Sequence, residues 1–133
     1  MTKNKLEQAA IWLALGAGGL DFCTGVGLMT VPALMLRLMF VPVPGAEALV
    51  YLRWLGAFVM AVGASYLWAL GRKDVVLLRH TLELTVIFRI AVGLFSTWAL
   101  MSGLLPPMWT NVPVTDFGLA AAQIWLLRRG VFR

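Results

Sequence analysis

Residues Ala9 to Met29 read AAIWLALGAGGLDFCTGVGLM. A bilayer's hydrocarbon is about 30 Å thick, and roughly 20 apolar residues rising about 1.5 Å each cover it. The stretch therefore predicts a membrane-spanning helix with one charge, Asp21, inside it. It opens after Lys3 and Lys5, as a secretory leader does. Its length, the internal Asp21 and the lack of an A-x-A cleavage pattern predict that it stays as a helix.

Working outward, the rest of the chain has the same character. Of its 133 residues 61% are hydrophobic and 13% charged, with a mean hydropathy of +0.87; soluble domains run nearer 45–50% and about 25%. A soluble core could not hide so much apolar surface. The expected fold is all-α: an integral membrane four-helix bundle forming a single transmembrane domain over 1–133, with spans at about 9–29, 48–70, 75–105 and 113–129. After the first span comes TVPALMLRLMF; its part 32–40, headed by Pro32 and with Thr30 as a possible cap, predicts a short helix lying on the outer interface with Arg37 toward the headgroups. Val41-Pro42-Val43-Pro44-Gly45 turns the chain, Gly71 to Asp74 is a polar loop, and Pro106-Pro107 is expected to stop the third span. The fourth span, at about 15 residues from Pro113, is short for the hydrocarbon, but only a crossing there keeps Arg128, Arg129 and Arg133 on the same side as the other cations.

The formal charge is +5. Lys3, Lys5, Arg72, Lys73, Arg128, Arg129 and Arg133 all lie outside the apolar runs, which by the positive-inside rule puts both termini and the 71–74 loop on the cytoplasmic side. No basic stripe is interleaved with aromatic residues, so nucleic acid is not an expected partner. Trp12, Trp54, Trp68, Trp98, Trp109 and Trp125 fall mostly near span ends, as an interfacial aromatic belt does. One cysteine and one histidine allow neither a thiol pair nor a zinc site of the Cys/His kind, no haem ligand set is visible, and no metal is expected. Cys23 reads as a small buried apolar residue.

The informative residues are the charges left in or near hydrocarbon: Asp21, Arg53, Glu83, Arg89 and Asp116. Each costs about 2.5–3.5 kcal/mol at a helix centre and so must face protein or water. Steps of three and four place Asp21 with Ala14, Ala17, Gly18 and Gly25, and Arg53 with Gly56, Ala57 and Met60. The same steps place Arg89 with Thr85, Gly93 and Ser96, and Asp116 with Ala120 and Gln123. Small residues let helices approach closely in lipid. Counting depth from the inner boundary puts Asp21 and Arg89 roughly 18–21 Å in, where they can meet; Arg53 and Asp116, both near the outer side, suggest a second pair in a formally neutral cluster. His80 and Glu83, with Arg79, lie at helical spacing near the inner end of the third span. They read either as a solvated helix end or as proton-handling groups.

Two readings of the Asp21, Arg53, Arg89 and Asp116 cluster stay open. Salt bridges can register helices that have no hydrophobic reason to choose one another. Alternatively the cluster lines a pocket for a ligand with an apolar body and an acceptor head, a carbonyl or carboxylate, which arginine suits.

The Gly-rich first span, the Pro-headed TVPALMLRLMF, YLRWLGAFVMAVGASYLW in the second span and FRIAVGLFSTWAL in the third resemble the DoxX-like group of small bacterial four-helix membrane proteins. The likeness is one of layout and covers most of the chain. Members of that group look like accessory subunits of quinone-linked respiratory complexes or proteins without an assigned activity; some carry paired thiols, which this chain with its single Cys23 lacks. The function expected first is a non-catalytic accessory or ligand-binding subunit, joined to other membrane subunits or to its own copies, with a quinone-like ligand. A membrane-embedded enzyme using the buried Asp and Arg for acid–base chemistry on a hydrophobic substrate comes second, and a small dimeric transporter third.

Overall fold

The computed structural model describes residues 2–133, and within them the chain is all-α with no strand. Five α-helices follow one another: α1 Lys3–Thr30, α2 Pro32–Leu38, α3 Ala46–Arg72, α4 Val75–Met101 and, after a 3₁₀ turn at Pro107–Thr110, α5 Asn111–Arg128. By length and composition α1, α3 and α4 could each cross a membrane; α5 is shorter, carries Asp116 and Gln123, and is not among them. Phe58, Leu94, Phe95, Trp98 and Phe117 are among many large apolar side chains left exposed. In water such a surface would be ruinous; in lipid it costs nothing.

Local chemistry sets the helix ends. Lys73 is left-handed at φ 54° and ends α3, and the next residue, Asp74, caps α4 by accepting from the backbone N–H of Val76 and Leu77 at 3.0 Å. α4 ends at Met101, earlier than the 105 expected, and Pro106-Pro107 is not what stops it. Gly103, at φ +70°, closes a Schellman turn in which Leu104 N–H reaches the Ala99 carbonyl at 2.9 Å and Gly103 N–H the Leu100 carbonyl at 3.1 Å. Thr30 does not cap α2 either: it is the last residue of α1, its hydroxyl donates to the Val26 carbonyl, and Val31 occupies the cap. α2 turns back on α1, burying Pro32 and Leu36 and laying Met35 over Gly27, while Arg37 stays exposed.

α1 packs chiefly along α3, and α4 along α5, with lesser contacts from α3 to α4 and from α1 to α5. The first pairing is made by glycine. A Cβ on Gly25 would strike the backbone of Met60 and the Gly56 carbonyl, and one on Gly63 would strike the backbone of Phe22 and the Gly18 carbonyl. Gly18 faces Gly63 and Gly25 faces Gly56, so the contacts repeat every seven residues on both antiparallel helices, the spacing of a shallow left-handed crossing. Toward the end that holds the termini, an apolar cluster takes over, with Leu6, Ala10, Ala14, Leu78, Leu82 and Leu126 at its centre. Lys3 Nζ reaches the Arg133 carbonyl at 2.9 Å and Arg79 Nη1 the Val131 carbonyl at 2.8 Å, so the start of α1, the start of α4 and the end of α5 share one end of the molecule.

Candidate functional site

Arg89 sits on the buried face of α4 between Thr85 and Gly93, with only 4% of its side chain exposed. Its Nη2 donates to Asp21 Oδ2 of α1 at 2.6 Å and its Nη1 to Asp116 Oδ1 of α5 at 2.9 Å. Three of the four expected cluster residues thus meet at one guanidinium, which draws α1, α4 and α5 together. The Asp21–Arg89 contact is the one that depth counting predicted.

The second expected pair is not formed. Arg53 is exposed and donates through Nη1 to the carbonyls of Met29 and, at 3.1 Å, Thr30. It does face α1, as its helical neighbour Gly56 does. At that level, however, α1 has ended, and the arginine meets orphan carbonyls at the negative end of the helix dipole. Asp116 therefore shares Arg89 with Asp21, and the buried cluster is two carboxylates to one cation rather than formally neutral.

A second polar layer lies against the first. Gln123 of α5 is fully buried and donates through Nε2 to Tyr66 Oη and, at 3.0 Å, to Thr85 Oγ1. Tyr66 Oη donates to Thr85 Oγ1 at 2.7 Å, and Thr85 donates in turn to the Thr81 carbonyl at 2.7 Å. Every hydroxyl proton has an acceptor, while Gln123 Oε1 and Arg89 Nε have no protein partner. The Arg89 guanidinium lies 5.9 Å from the Tyr66 ring centroid, so the two layers touch through a cation–π contact. Tyr66 was legible in the sequence as the residue one turn beyond Gly63 on the glycine face of α3, but it carries no charge and so did not stand out.

His80 and Glu83 belong to neither layer. Glu83 Oε1 accepts from Arg79 Nε at 3.0 Å and its Oε2 lies 3.2 Å from His80 Nδ1, with 61% of the His80 and 40% of the Glu83 side chain exposed. Six residues, or about 9 Å of helix, separate Glu83 from Arg89. His80 and Glu83 both lie near the start of α4, away from the buried cluster. Among the described residues no three His, Cys, Asp or Glu side chains converge as metal ligands. Cys23 is exposed on α1, not buried.

Where α1 and α5 touch only sparsely, a groove of about 450 Å³ opens sideways. Leu13, Gly16, Ala17 and Leu20 form one wall, Thr115, Gly118 and Leu119 the other. Asp21 and Asp116 are the residues after Leu20 and Thr115 in their helices but do not line the groove; 14% and 15% of their side chains are exposed. The groove is shallow and its lining is almost wholly apolar. Comparison of the chain with protein-family models, with characterised proteins and with solved structures finds no match.

Proposed function

We propose that the chain is a four-span protein of a bacterial cytoplasmic membrane that binds a lipid-soluble, quinol-like ligand in the groove between α1 and α5. It acts as a non-catalytic accessory subunit of a redox or energy-converting membrane complex. The quinone-linked, accessory part of this reading comes from the DoxX-like resemblance. The four crossings and the cytoplasmic termini are supported by the gathering of Lys3, Arg79, Val131 and Arg133 at one end, together with the cationic turn at Arg72 and Lys73.

The observation that carries the ligand class is the pair of partly exposed carboxylates sharing one guanidinium, one residue beyond the groove's lining on both α1 and α5. Arg89 has given both Nη atoms to carboxylates, and its Nε is buried. With the guanidinium buried and both Nη atoms engaged, an acceptor head would have to reach its remaining N–H groups past Asp21 and Asp116, which weakens the reason for favouring a carbonyl or carboxylate. Two carboxylates against one cation leave surplus acceptor capacity, and this suits a head that donates hydrogen bonds. The hydroxyls of a quinol fit; the carbonyls of the quinone do not, unless a carboxyl carries a proton. Acid–base catalysis has less support, since both carboxylates are held by Arg89.

Gly16 and Gly118 line the groove and have open space where a Cβ would stand. Leucine at both should fill the groove and leave the fold intact. In nanodiscs a short-tailed ubiquinol should bind the unaltered protein more tightly than the matching ubiquinone, and Gly16→Leu/Gly118→Leu should abolish binding while unfolding normally. Binding that survives in the filled variant, or a preference for the oxidised form, would count against the reading.

A further inference from the structure

At the end that holds the termini, a second, shallow and open groove of about 310 Å³ lies between α4 and α5, and its two ends differ in chemistry. Val86, Ile124 and Leu127 form its inner, apolar part, and Arg128 and Arg133 stand at its rim with Arg79 and Glu83. Arg79 and Glu83 are engaged with each other, Arg79 also with the Val131 carbonyl and Glu83 with His80. Arg128 and Arg133 have no acidic partner among the described residues. The rim therefore presents two uncommitted guanidinium groups.

Their placement is fixed by the fold. Gly130, at φ +77°, closes a Schellman turn in which its own N–H reaches the Leu127 carbonyl at 3.0 Å and Val131 N–H the Leu126 carbonyl at 3.3 Å. Val131 is then driven into the core with 1% exposure, and Lys3 holds the Arg133 carbonyl. The turn satisfies the last carbonyls of α5, so the arginines are not needed there, and it brings Arg133 back over the groove.

We infer that this groove binds one anionic phospholipid, its phosphodiester on Arg128 and Arg133 and an acyl chain along Val86, Ile124 and Leu127. A soluble anion would use the rim and leave the apolar part empty; a zwitterionic lipid offers the same phosphodiester but brings a quaternary ammonium up to two guanidinium groups. Charge at the helix ends with apolar surface one turn deeper is the order of groups in a phospholipid, and basic pockets between spans on the cytoplasmic side are where such headgroups are held. The site is independent of the groove between α1 and α5.

The test is native mass spectrometry of the full chain released from nanodiscs of phosphatidylglycerol and phosphatidylcholine. The unaltered protein should retain one phosphatidylglycerol. Arg128→Gln/Arg133→Gln should retain it about thirtyfold more weakly, each arginine beside an anionic headgroup being worth about a factor of five. Arg72→Gln/Lys73→Gln, with the same loss of charge in the turn between α3 and α4, should retain it normally. Equal retention by all three proteins, equal loss in both variants, or equal retention of phosphatidylcholine would overturn the inference. So would displacement of the lipid by millimolar inorganic phosphate, which would mark a small-anion site.

Discussion

Replacing Arg89 by Met and replacing Asp21 by Asn should differ greatly in cost, although both break the same 2.6 Å contact. Arg89 is 4% exposed and holds both Asp21 and Asp116. Its loss strands two carboxylates in an apolar interior. Breaking one partner from a buried pair typically costs about 3–5 kcal/mol, and with two acids left behind the upper part of that range is expected. Asp21→Asn keeps an acceptor oxygen at the position and leaves Asp116 to neutralise Arg89 at 2.9 Å. It gives up one charge-assisted hydrogen bond, about 1.5–3 kcal/mol. It also removes the surplus negative charge, whose desolvation costs several kcal/mol per ion. The terms oppose, so Asp21→Asn should lie within about 1 kcal/mol of the parent. Unfolding of the purified protein in mixed micelles, titrated with sodium dodecyl sulfate and followed by tryptophan fluorescence, measures both. The triple change Asp21→Asn/Arg89→Met/Asp116→Asn should recover most of what Arg89→Met loses. If Asp21→Asn costs as much as Arg89→Met, the two aspartates do not share one cation and the reasoning fails.

Two further outcomes are expected. In the same titration Gly25→Ala and Gly63→Ala should each cost about 1–3 kcal/mol, because the new methyl meets backbone rather than a side chain that can move. Gly19→Ala, with nothing within 4 Å, should be neutral or gain up to about 1 kcal/mol; equal losses at all three would mean that α1 and α3 do not meet through glycine. For topology, cysteine-reactive reagents that do not cross membranes should reach cysteines introduced at Lys3, Lys73 and Arg133 only from the cytoplasmic side, and one at Met108 only from the other side. Labelling of Met108 from the cytoplasm would refute the four crossings.

How the sequence could be read depended on what its pattern encodes. Steps of three and four fix the face of a helix, and they placed Ala14, Ala17, Thr85, Arg89, Gly93, Ser96, Ala120 and Gln123 correctly on buried faces. Residue counts fix depth, and they brought Asp21 to Arg89. Neither tells which neighbour stands across from a face. Arg53 had the right face and the wrong partner, because the end of α1 lies opposite it and supplies carbonyls instead of a carboxylate. Gly103 does not announce itself as a helix stop in the sequence beside the two prolines, because its φ of +70° belongs to the turn, not to composition. The expectation for Cys23 failed for a different reason: burial of cysteine is a habit of proteins in water, and in this chain Cys23 stands exposed among the many apolar side chains on the outside of the bundle.

The shared arginine also bears on how the chain is made. Asp116 lies 27 residues from Arg89, within the hairpin of α4 and α5, but Asp21 precedes its partner by 68. At synthesis rates of about 5–20 residues per second, the first helix waits several seconds before Arg89 is even translated. Throughout that interval the glycine-paired hairpin of α1 and α3 holds Asp21 without its guanidinium, and the following hairpin supplies that partner already shared with Asp116.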